Sequence, residues 1–158
     1  MVAARGFTLV ELIVTVTIVG VVAALAVPAL RELALQQYVR SAASDLQTAL
    51  FFARSEAIKR AVDVQVVPTS GKWTQGWVVQ LGDGTLLRQQ SPLSDQLAAV
   101  AGSTMTYRND GRLSGASSYN IVFSTSNVKV AARCVAIDLS GRASVATDTN
   151  GNPADGCN

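Results

Sequence analysis

Residues 7–30 read FTLVELIVTVTIVGVVAALAVPAL and contain one charged side chain, that of Glu11. An α-helix rises about 1.5 Å per residue and a bilayer core is about 30 Å thick, so about 20 apolar residues can span it. The stretch meets this length and predicts a transmembrane helix. A carboxylate inside such a helix costs on the order of 3 kcal/mol, which indicates that Glu11 has a functional partner.

Composition limits the classes of function that the 158-residue chain can have. Its length suits one domain behind the apolar segment, and 13 basic against 11 acidic residues give a net charge of only +2. Histidine is absent and the two cysteines form no CxxC pattern, which removes the usual general base and the commonest zinc ligands. We therefore expect no enzyme activity, no metal and no other cofactor.

The six residues before the apolar stretch, MVAARG, form a short leader with one positive charge at Arg5. A secretory signal is the alternative, and Ala-Leu-Ala at residues 24–26 matches its small-residue cleavage pattern. Such a signal has an apolar core of only about 7 to 15 residues, however, and here the helical pattern continues through Val27 and Pro28. We predict that the apolar segment is retained in the mature protein.

The junction between leader and helix, GFTLVE at residues 6–11, resembles the processing site of type IV prepilins and type II secretion prepseudopilins. The resemblance implies that a prepilin peptidase cuts between Gly6 and Phe7 on the cytoplasmic face and methylates the new amine of Phe7. It also implies that the Glu11 carboxylate compensates the N-terminal amine of a neighbouring subunit in a fibre. Pairing is how proteins tolerate a buried charge. A Glu11 that snorkels to the interface of a lone anchor is the alternative.

The helix is expected to continue to residue 60 as an amphipathic segment. Apolar side chains recur at helical spacing, at Leu30, Leu33, Tyr38, Ala42, Leu46, Ala49, Leu50, Ala53 and Ala57. Gly20 and Pro28 disfavour helix, so a bend or local unwinding is expected there. The stretch FFARSEAIKR at residues 51–60 resembles the FimT, FimU and GspH branch of the pilins, which narrows the resemblance to that subgroup.

Beyond residue 61 the apolar period changes to two, as in β-strands. The candidate strands are residues 62–68, 76–81, 85–90, 103–107, 119–124, 128–138 and 143–147. Gly82-Asp83-Gly84 and Asn109-Asp110-Gly111 are typical of hairpin turns, and residues 91–102 are expected to form a loop or short helix. Trp73 and Trp77 are expected to pack in the core rather than to bind a ligand. The predicted fold class is α+β, a long N-terminal helix packed on an antiparallel β-sheet head, as in pilins.

Cys134 and Cys157 are an even pair, which favours one disulfide in an exported protein. Two buried free thiols are the alternative. A disulfide would tie the polar tail, residues 148–158, to the strand predicted at 128–138. Closing a loop of that size is worth about 3 kcal/mol.

Two other groups of residues have patterns found in binding sites. Asp148, Asn150, Asn152 and Asp155 have the spacing of calcium ligands, but Pro153 and the missing closing glutamate favour a turn, so no metal is expected. Some FimT-type pilins bind DNA through a basic G-R-x-R segment, which Gly141-Arg142-Ala143-Ser144 matches only in its first arginine. The residues that could contact DNA are Arg142, Arg133, Lys129, Arg112 and Arg108.

The sequence predicts a minor type IV pilin, which the prepilin peptidase processes and which joins or primes a pilus by helix bundling. The alternatives are a GspH-like pseudopilin at the tip of a type II secretion pseudopilus and a pilus-associated DNA receptor. The expected divisions are a leader at 1–6, a transmembrane and assembly helix at 7–30, an amphipathic helix at 31–60 and a β-rich head at 61–158. The expected partners are other pilins, the peptidase and the inner membrane, with the head in the periplasm.

Overall fold

The computed structural model describes residues 7–99, 103–115 and 118–148. The chain divides into two compact units, residues 1–34 and residues 35–158. The predicted leader, Gly6 and Cys157 lie outside the described residues, and so does the tail beyond Asp148. The leader, the disulfide and the predicted domain limits therefore stay predictions.

A single helix, α1, runs from Leu9 to Arg60 and belongs to both units. Within it lies an 18-residue stretch with a mean hydropathy of 2.6, long and apolar enough to cross a membrane. The helix is not interrupted at Gly20 or Pro28, so the structure shows no local unwinding there. Around Pro28 the strong helix formers Ala and Leu offset part of the propensity penalty, whereas Gly20 lies among β-branched residues.

In the second unit, α1 buries one stripe of small and branched side chains against the sheets. The stripe comprises Val39, Ala42, Ala43, Leu46, Ala49, Leu50, Ala53, Glu56 and Ala57. The prediction for Tyr38 is wrong, because this ring is 45% exposed and its neighbour Val39 is fully buried. Val39 lies in register with residues 42, 43 and 46 at the i, i+3, i+4 spacing of a helical face, whereas Tyr38 lies beside that face.

The acid within the stripe, Glu56, is paired with two basic side chains of the last turn of α1. Its carboxylate accepts a hydrogen bond from the Nε of Arg60 and lies 3.7 Å from the Nζ of Lys59. The hydrogen bond from Arg60 holds the pKa of Glu56 below its ordinary value, with the positive charge of Lys59 acting in the same direction. The pair closes the last turn of α1, where basic side chains also complement the helix dipole.

The helix ends in a left-handed residue, Ala61, with φ of 55°. We expect Ala61→Gly to raise the free energy of unfolding by about 1 kcal/mol, because glycine adopts this conformation without the steric cost of a Cβ. Urea unfolding of the full chain in detergent micelles, followed by the fluorescence of Trp73 and Trp77, measures the change. Ser55→Gly, at an exposed position inside the helix, is the control and should lower stability by about 0.5 kcal/mol. A loss of stability in Ala61→Gly would contradict this account of the helix end.

In the described residues beyond the helix, eight short strands form two antiparallel four-stranded sheets. The first sheet has the order β3-β2-β1-β5 and the second has the order β4-β6-β7-β8. The strands are β1 Val64–Pro68, β2 Trp77–Leu81, β3 Leu86–Gln90, β4 Leu97–Ala99, β5 Met105–Tyr107, β6 Tyr119–Thr125, β7 Arg133–Ile137 and β8 Ala143–Thr147. Both inner faces contribute to one core with the buried stripe of α1, which confirms the predicted fold class.

Three details of the head differ from the prediction. There are two sheets rather than one, and residues 97–99 form strand β4, which pairs with β6, where a loop or helix was expected. β7 begins at Arg133 rather than residue 128, because residues 126–130 form a turn with Val128 99% exposed. All three features depend on pairing between strands that are distant in the sequence. The alternation of side chains along one segment does not reveal which strands pair.

The predicted packing of the two tryptophans is confirmed. Trp73 lies in the short 3₁₀ turn Trp73–Gln75 and Trp77 begins β2, and both are at least 98% buried. Their ring centroids lie 6.2 Å apart with the planes tilted by 59°, a favourable arrangement for aromatic pairs. Neither ring is available as an exposed binding platform.

Candidate assembly site

The first turn of α1 is capped by Thr8. Its hydroxyl oxygen accepts a hydrogen bond from the backbone N–H of Glu11 at 3.2 Å, and its carbonyl oxygen accepts one from the N–H of Leu12. This is the N-cap half of a capping box, the T-x-x-E pattern in which the cap hydroxyl satisfies the third helical N–H. Sequence reasoning missed this role for Thr8, although the pattern is legible at residues 8–11.

The helix in the first unit presents apolar side chains all around. Every described residue from Phe7 to Arg31 is exposed, and large apolar side chains such as Leu9, Val16 and Leu25 are 64 to 73% exposed. The hydroxyls of Thr15 and Thr17 donate to the carbonyl oxygens of Leu12 and Ile13 at 2.8 Å. These two polar groups are therefore satisfied within the helix, which suits a segment surrounded by lipid or by other apolar helices.

Glu11 is the one charge of this apolar surface. Its carboxylate lies in the first turn of α1, where a negative charge complements the helix dipole, and its side chain is exposed in the isolated chain. Phe7, the residue predicted to carry the new amine, lies four residues before Glu11 in the sequence, and its side chain is 78% exposed. The arrangement offers an apolar helix face for packing and one carboxylate for pairing with a cation.

Two turns of the head lie against each other and carry three of the predicted basic residues. Arg108 and Arg112 flank the turn at residues 108–112, and Arg142 ends the turn at residues 138–142. The Leu113 N–H donates to the carbonyl oxygen of Leu139 at 3.3 Å and joins the turns. All three arginine side chains are exposed, so the structure brings this part of the predicted basic set together.

Each of these turns also carries an acid. Asp110 accepts a hydrogen bond from the N–H of Arg112 at 3.0 Å, and Asp138 accepts hydrogen bonds from the Ser140 hydroxyl and the Arg142 N–H. The bond from Ser140, supported by that from Arg142, holds the pKa of Asp138 below its ordinary value. Both acids offset part of the positive charge, which limits the attraction of this surface for phosphate groups.

The other two residues of the predicted basic set lie elsewhere. Lys129 is in the exposed turn before β7, where its N–H is bonded to the Asn127 side chain at 3.0 Å. Arg133 begins β7 and lines a groove beside α1 together with Arg40. The five cations predicted from sequence are therefore distributed over three places on the head.

Comparison with known protein families decides the identity of the fold. Residues 1–27 match the prokaryotic N-terminal methylation motif, and residues 42–141 match the family described as type II transport protein GspH. The chain belongs to the GspH family. No curated protein matches the sequence.

Solved structures of minor pilins and pseudopilins have the same fold as this GspH-family chain. The type IV minor pilin FimU of Pseudomonas aeruginosa matches with a TM-score of 0.60 and 21% identity over 76% of this chain and 95% of FimU. The minor pseudopilin EpsH from the type 2 secretion system of Vibrio cholerae matches with a TM-score of 0.52 and 12% identity over 71% of this chain and 98% of EpsH. At these identities the likeness establishes the fold alone.

A buried tyrosine lies behind the two stacked turns. Tyr107 is fully buried, and neither its hydroxyl nor the Nε of Arg54 has a hydrogen-bond partner among the described residues. Burial raises the pKa of Tyr107 to about 12, although the Arg54 guanidinium acts in the opposite direction. The hydroxyl is therefore a cost to the folded state, because a buried polar group without a partner is destabilising.

Two effects on stability are expected from this hydroxyl. Tyr107→Phe should leave the free energy of unfolding unchanged or raise it by about 1 kcal/mol at pH 7, since it removes an unsatisfied group. Because the unfolded phenol ionises near pH 10 and the folded one near 12, the wild type should lose up to about 2.7 kcal/mol as the pH rises from 10 to 12. The variant should lose less over the same range. Urea unfolding at pH 7, 10 and 11 tests this, and equal alkaline losses would contradict it.

Proposed function

We propose that this chain is a minor type IV pilin, a structural subunit without catalytic activity. The observation that carries the proposal is the first half of α1, an exposed apolar helix with one carboxylate in its first turn, most of which lies within the matched methylation motif at residues 1–27. In water such a surface is unfavourable at about 25 cal/mol per Å², so it must be covered by lipid or by other helices. The fold is shared with the minor pilin FimU and with the minor pseudopilin EpsH, so the choice of a pilus is the part of the proposal that the gene deletion below tests.

The steps of assembly are those implied by the resemblance of residues 6–11 to a prepilin processing site. The prepilin peptidase would cut between Gly6 and Phe7 and methylate the amine of Phe7, leaving the apolar helix in the inner membrane with the head in the periplasm. The helix would then leave the membrane for the fibre core. There the Glu11 carboxylate would pair with the amine of a neighbouring subunit and fix the register of the helices.

The secretion pseudopilus is the second candidate, and the GspH family description and the likeness to EpsH support it. Deletion of the gene, followed by electron microscopy of surface fibres and by assay of proteins secreted into the medium, separates the two functions. A minor pilin predicts fewer fibres with secretion unchanged, and the full chain should restore them. Loss of secretion with normal fibres would contradict the pilus and assign the chain to the secretion machine.

DNA reception is the third candidate, and only the stacked turns bearing Arg108, Arg112 and Arg142 support it. Duplex DNA titrated into the full chain in detergent micelles, over a range of salt concentrations, tests it. If these arginines bind phosphates, Arg142→Ala should lower the slope of log affinity against log salt by about 1. Absence of binding at low salt would remove this candidate and leave the structural role untouched.

A further inference from the structure

Among the described residues, part of the backbone of the edge strand β8 has no hydrogen-bond partner. Its register with β7 is antiparallel, with Cys134 opposite Ala146, and the Asp148 N–H donates to the carbonyl oxygen of Ala132 at 3.0 Å. Because hydrogen-bonded and non-bonded pairs alternate in an antiparallel ladder, residues 144, 146 and 148 point their backbone groups at β7. The backbone groups of Ala143, Val145 and Thr147 therefore point away from the sheet.

A helix side chain occupies only one end of this free edge. The Nε2 of Gln47 donates to the carbonyl oxygen of Ala143 at 3.2 Å, which confirms that this group points outward and places α1 beside it. No hydrogen bond from the described residues reaches the outward groups of Val145 and Thr147. An unpaired strand edge of this kind is a template for a further strand.

The free edge borders a groove of about 480 Å³, which we call the β8 groove, lined by Arg40, Ser44, Gln47, Arg133 and Val145. Two of these five residues are arginines, and neither makes an ion pair within the described part of the chain. Among the described residues, no acidic side chain lines the groove. Asp45, the nearest acid along α1, lines a separate depression with Tyr38 and Leu93. Within the described part of the chain, the β8 groove therefore offers two guanidinium groups without carboxylates to balance them.

We propose that the β8 groove receives an extended, acidic segment of a neighbouring fibre subunit, which adds a strand to β8. The segment would bond to the outward N–H and C=O groups of Val145 and Thr147 and place its carboxylates against Arg40 and Arg133. Backbone pairing at a sheet edge gives affinity, and the side-chain contacts beside it give specificity. Guanidinium–carboxylate contacts are among the stronger hydrogen bonds in proteins and select an acidic partner. This inference rests on the proposed function, since it takes the partner from the same fibre.

A photoreactive amino acid at Ser44 of the full chain, in living cells, tests the proposal by crosslinking. A second probe at Val14, on the exposed apolar helix, reports association between subunits independently of the groove. The double variant Arg40→Glu, Arg133→Glu should lower the Ser44 crosslink to another pilin at least about tenfold and leave the Val14 crosslink unchanged. Val145→Pro should do the same, because its outward N–H serves no hydrogen bond within the sheet. Val145→Ala keeps this N–H and is the matched control.

The peptide crosslinked to Ser44, identified by mass spectrometry, decides between occupants. An Asp- or Glu-containing segment of another pilin supports the proposal, provided that both variants weaken it. A crosslink to residues 149–158 of the same chain overturns it, because the chain's own tail then fills the groove. Crosslinks from Val14 without any from Ser44 also overturn it but leave the pilin function standing. Absence of both removes the inference together with the function on which it rests.

Discussion

A Glu11→Ala variant of the full chain should be processed like the wild type but fall by about 100-fold or more in the fibre fraction relative to the membrane. Glu11 is the one charged side chain of residues 7–30, so the amine that the proposed cleavage would create at Phe7 is the one opposite charge that this apolar segment would supply. Removal of one partner of a buried ion pair typically costs 3 to 5 kcal/mol, because the other charge is left without compensation. A cost of 3 kcal/mol corresponds to slightly more than 100-fold in an equilibrium.

Quantitative mass spectrometry of sheared fibres and of membranes measures the ratio of the variant in the two fractions. Glu32→Ala is the control, since it removes another helix carboxylate that lies outside the apolar stretch. It should leave the ratio within about twofold of the wild type, because the loss of this carboxylate leaves no N-terminal amine of the fibre core without its counter-charge. Normal incorporation of Glu11→Ala would instead favour a side chain that snorkels at the membrane surface and has no part in pairing.

The largest effect on stability is expected from Gly141→Ala, which should lower the free energy of unfolding by about 3 kcal/mol or more. Gly141 has φ of 80°, which costs an alanine about 1 to 2 kcal/mol. An added Cβ would also lie against the carbonyl oxygen of Gly111 and 3.0 Å from the ring of Tyr107. The first obstacle is backbone and the second a fully buried ring, so neither can move without disturbing the stacked turns. Such overpacking adds about 1 to 3 kcal/mol.

Gly84→Ala isolates the contribution of the close contact. Gly84 has a similar φ of 89° at the turn between β2 and β3, but nothing lies within 4 Å of its added Cβ. It should therefore lose only the backbone cost of about 1 to 2 kcal/mol. Urea unfolding of both variants, followed by tryptophan fluorescence, gives the comparison. Equal losses would show that Gly141 is present for its backbone conformation and that the contact with Gly111 is unimportant.

In the basic motif at residues 141–144, Gly141 has a role in packing, which is distinct from the DNA contact predicted for Arg142. The resemblance to a G-R-x-R segment drew attention to it as a DNA contact. In the fold, the absence of a Cβ at Gly141 lets the turn at residues 138–142 approach the turn at residues 108–112. The contact between these turns brings the backbone of Arg142 to the same part of the head as that of Arg108 and Arg112. A short motif in a sequence does not reveal which of its residues serves packing.

The sequence predicted well the features that depend on local pattern. The apolar run of residues 7–30 and the helical spacing from Ala42 to Ala57 lie in the observed helix α1. Seven of the eight strands overlap a predicted strand, because alternation and turn residues such as Gly84 and Gly111 are local signals. The N-cap role of Thr8 is also a local signal, because the T-x-x-E pattern at residues 8–11 is legible in the sequence.

The features that could not be predicted from the sequence depend on pairing between distant segments. β4 has only three residues and is fixed by its register with β6, and the division into two sheets depends on which strands meet. The β8 groove joins Arg40 to Arg133 across more than half of the chain, and no spacing rule relates them. The five basic residues predicted from the sequence do not form one surface, for the same reason. Arg133 lines this groove, whereas Lys129 lies in a turn.

Mass spectrometry of fibres sheared from the cell surface tests the central claim most directly. The account predicts that the fibres contain this chain, beginning at an N-methylated Phe7 and lacking residues 1–6. Recovery of the processed chain only from the envelope of a piliated cell would contradict its place in the pilus. Recovery of the chain with Met1 still attached would contradict the processing on which the whole assembly mechanism depends.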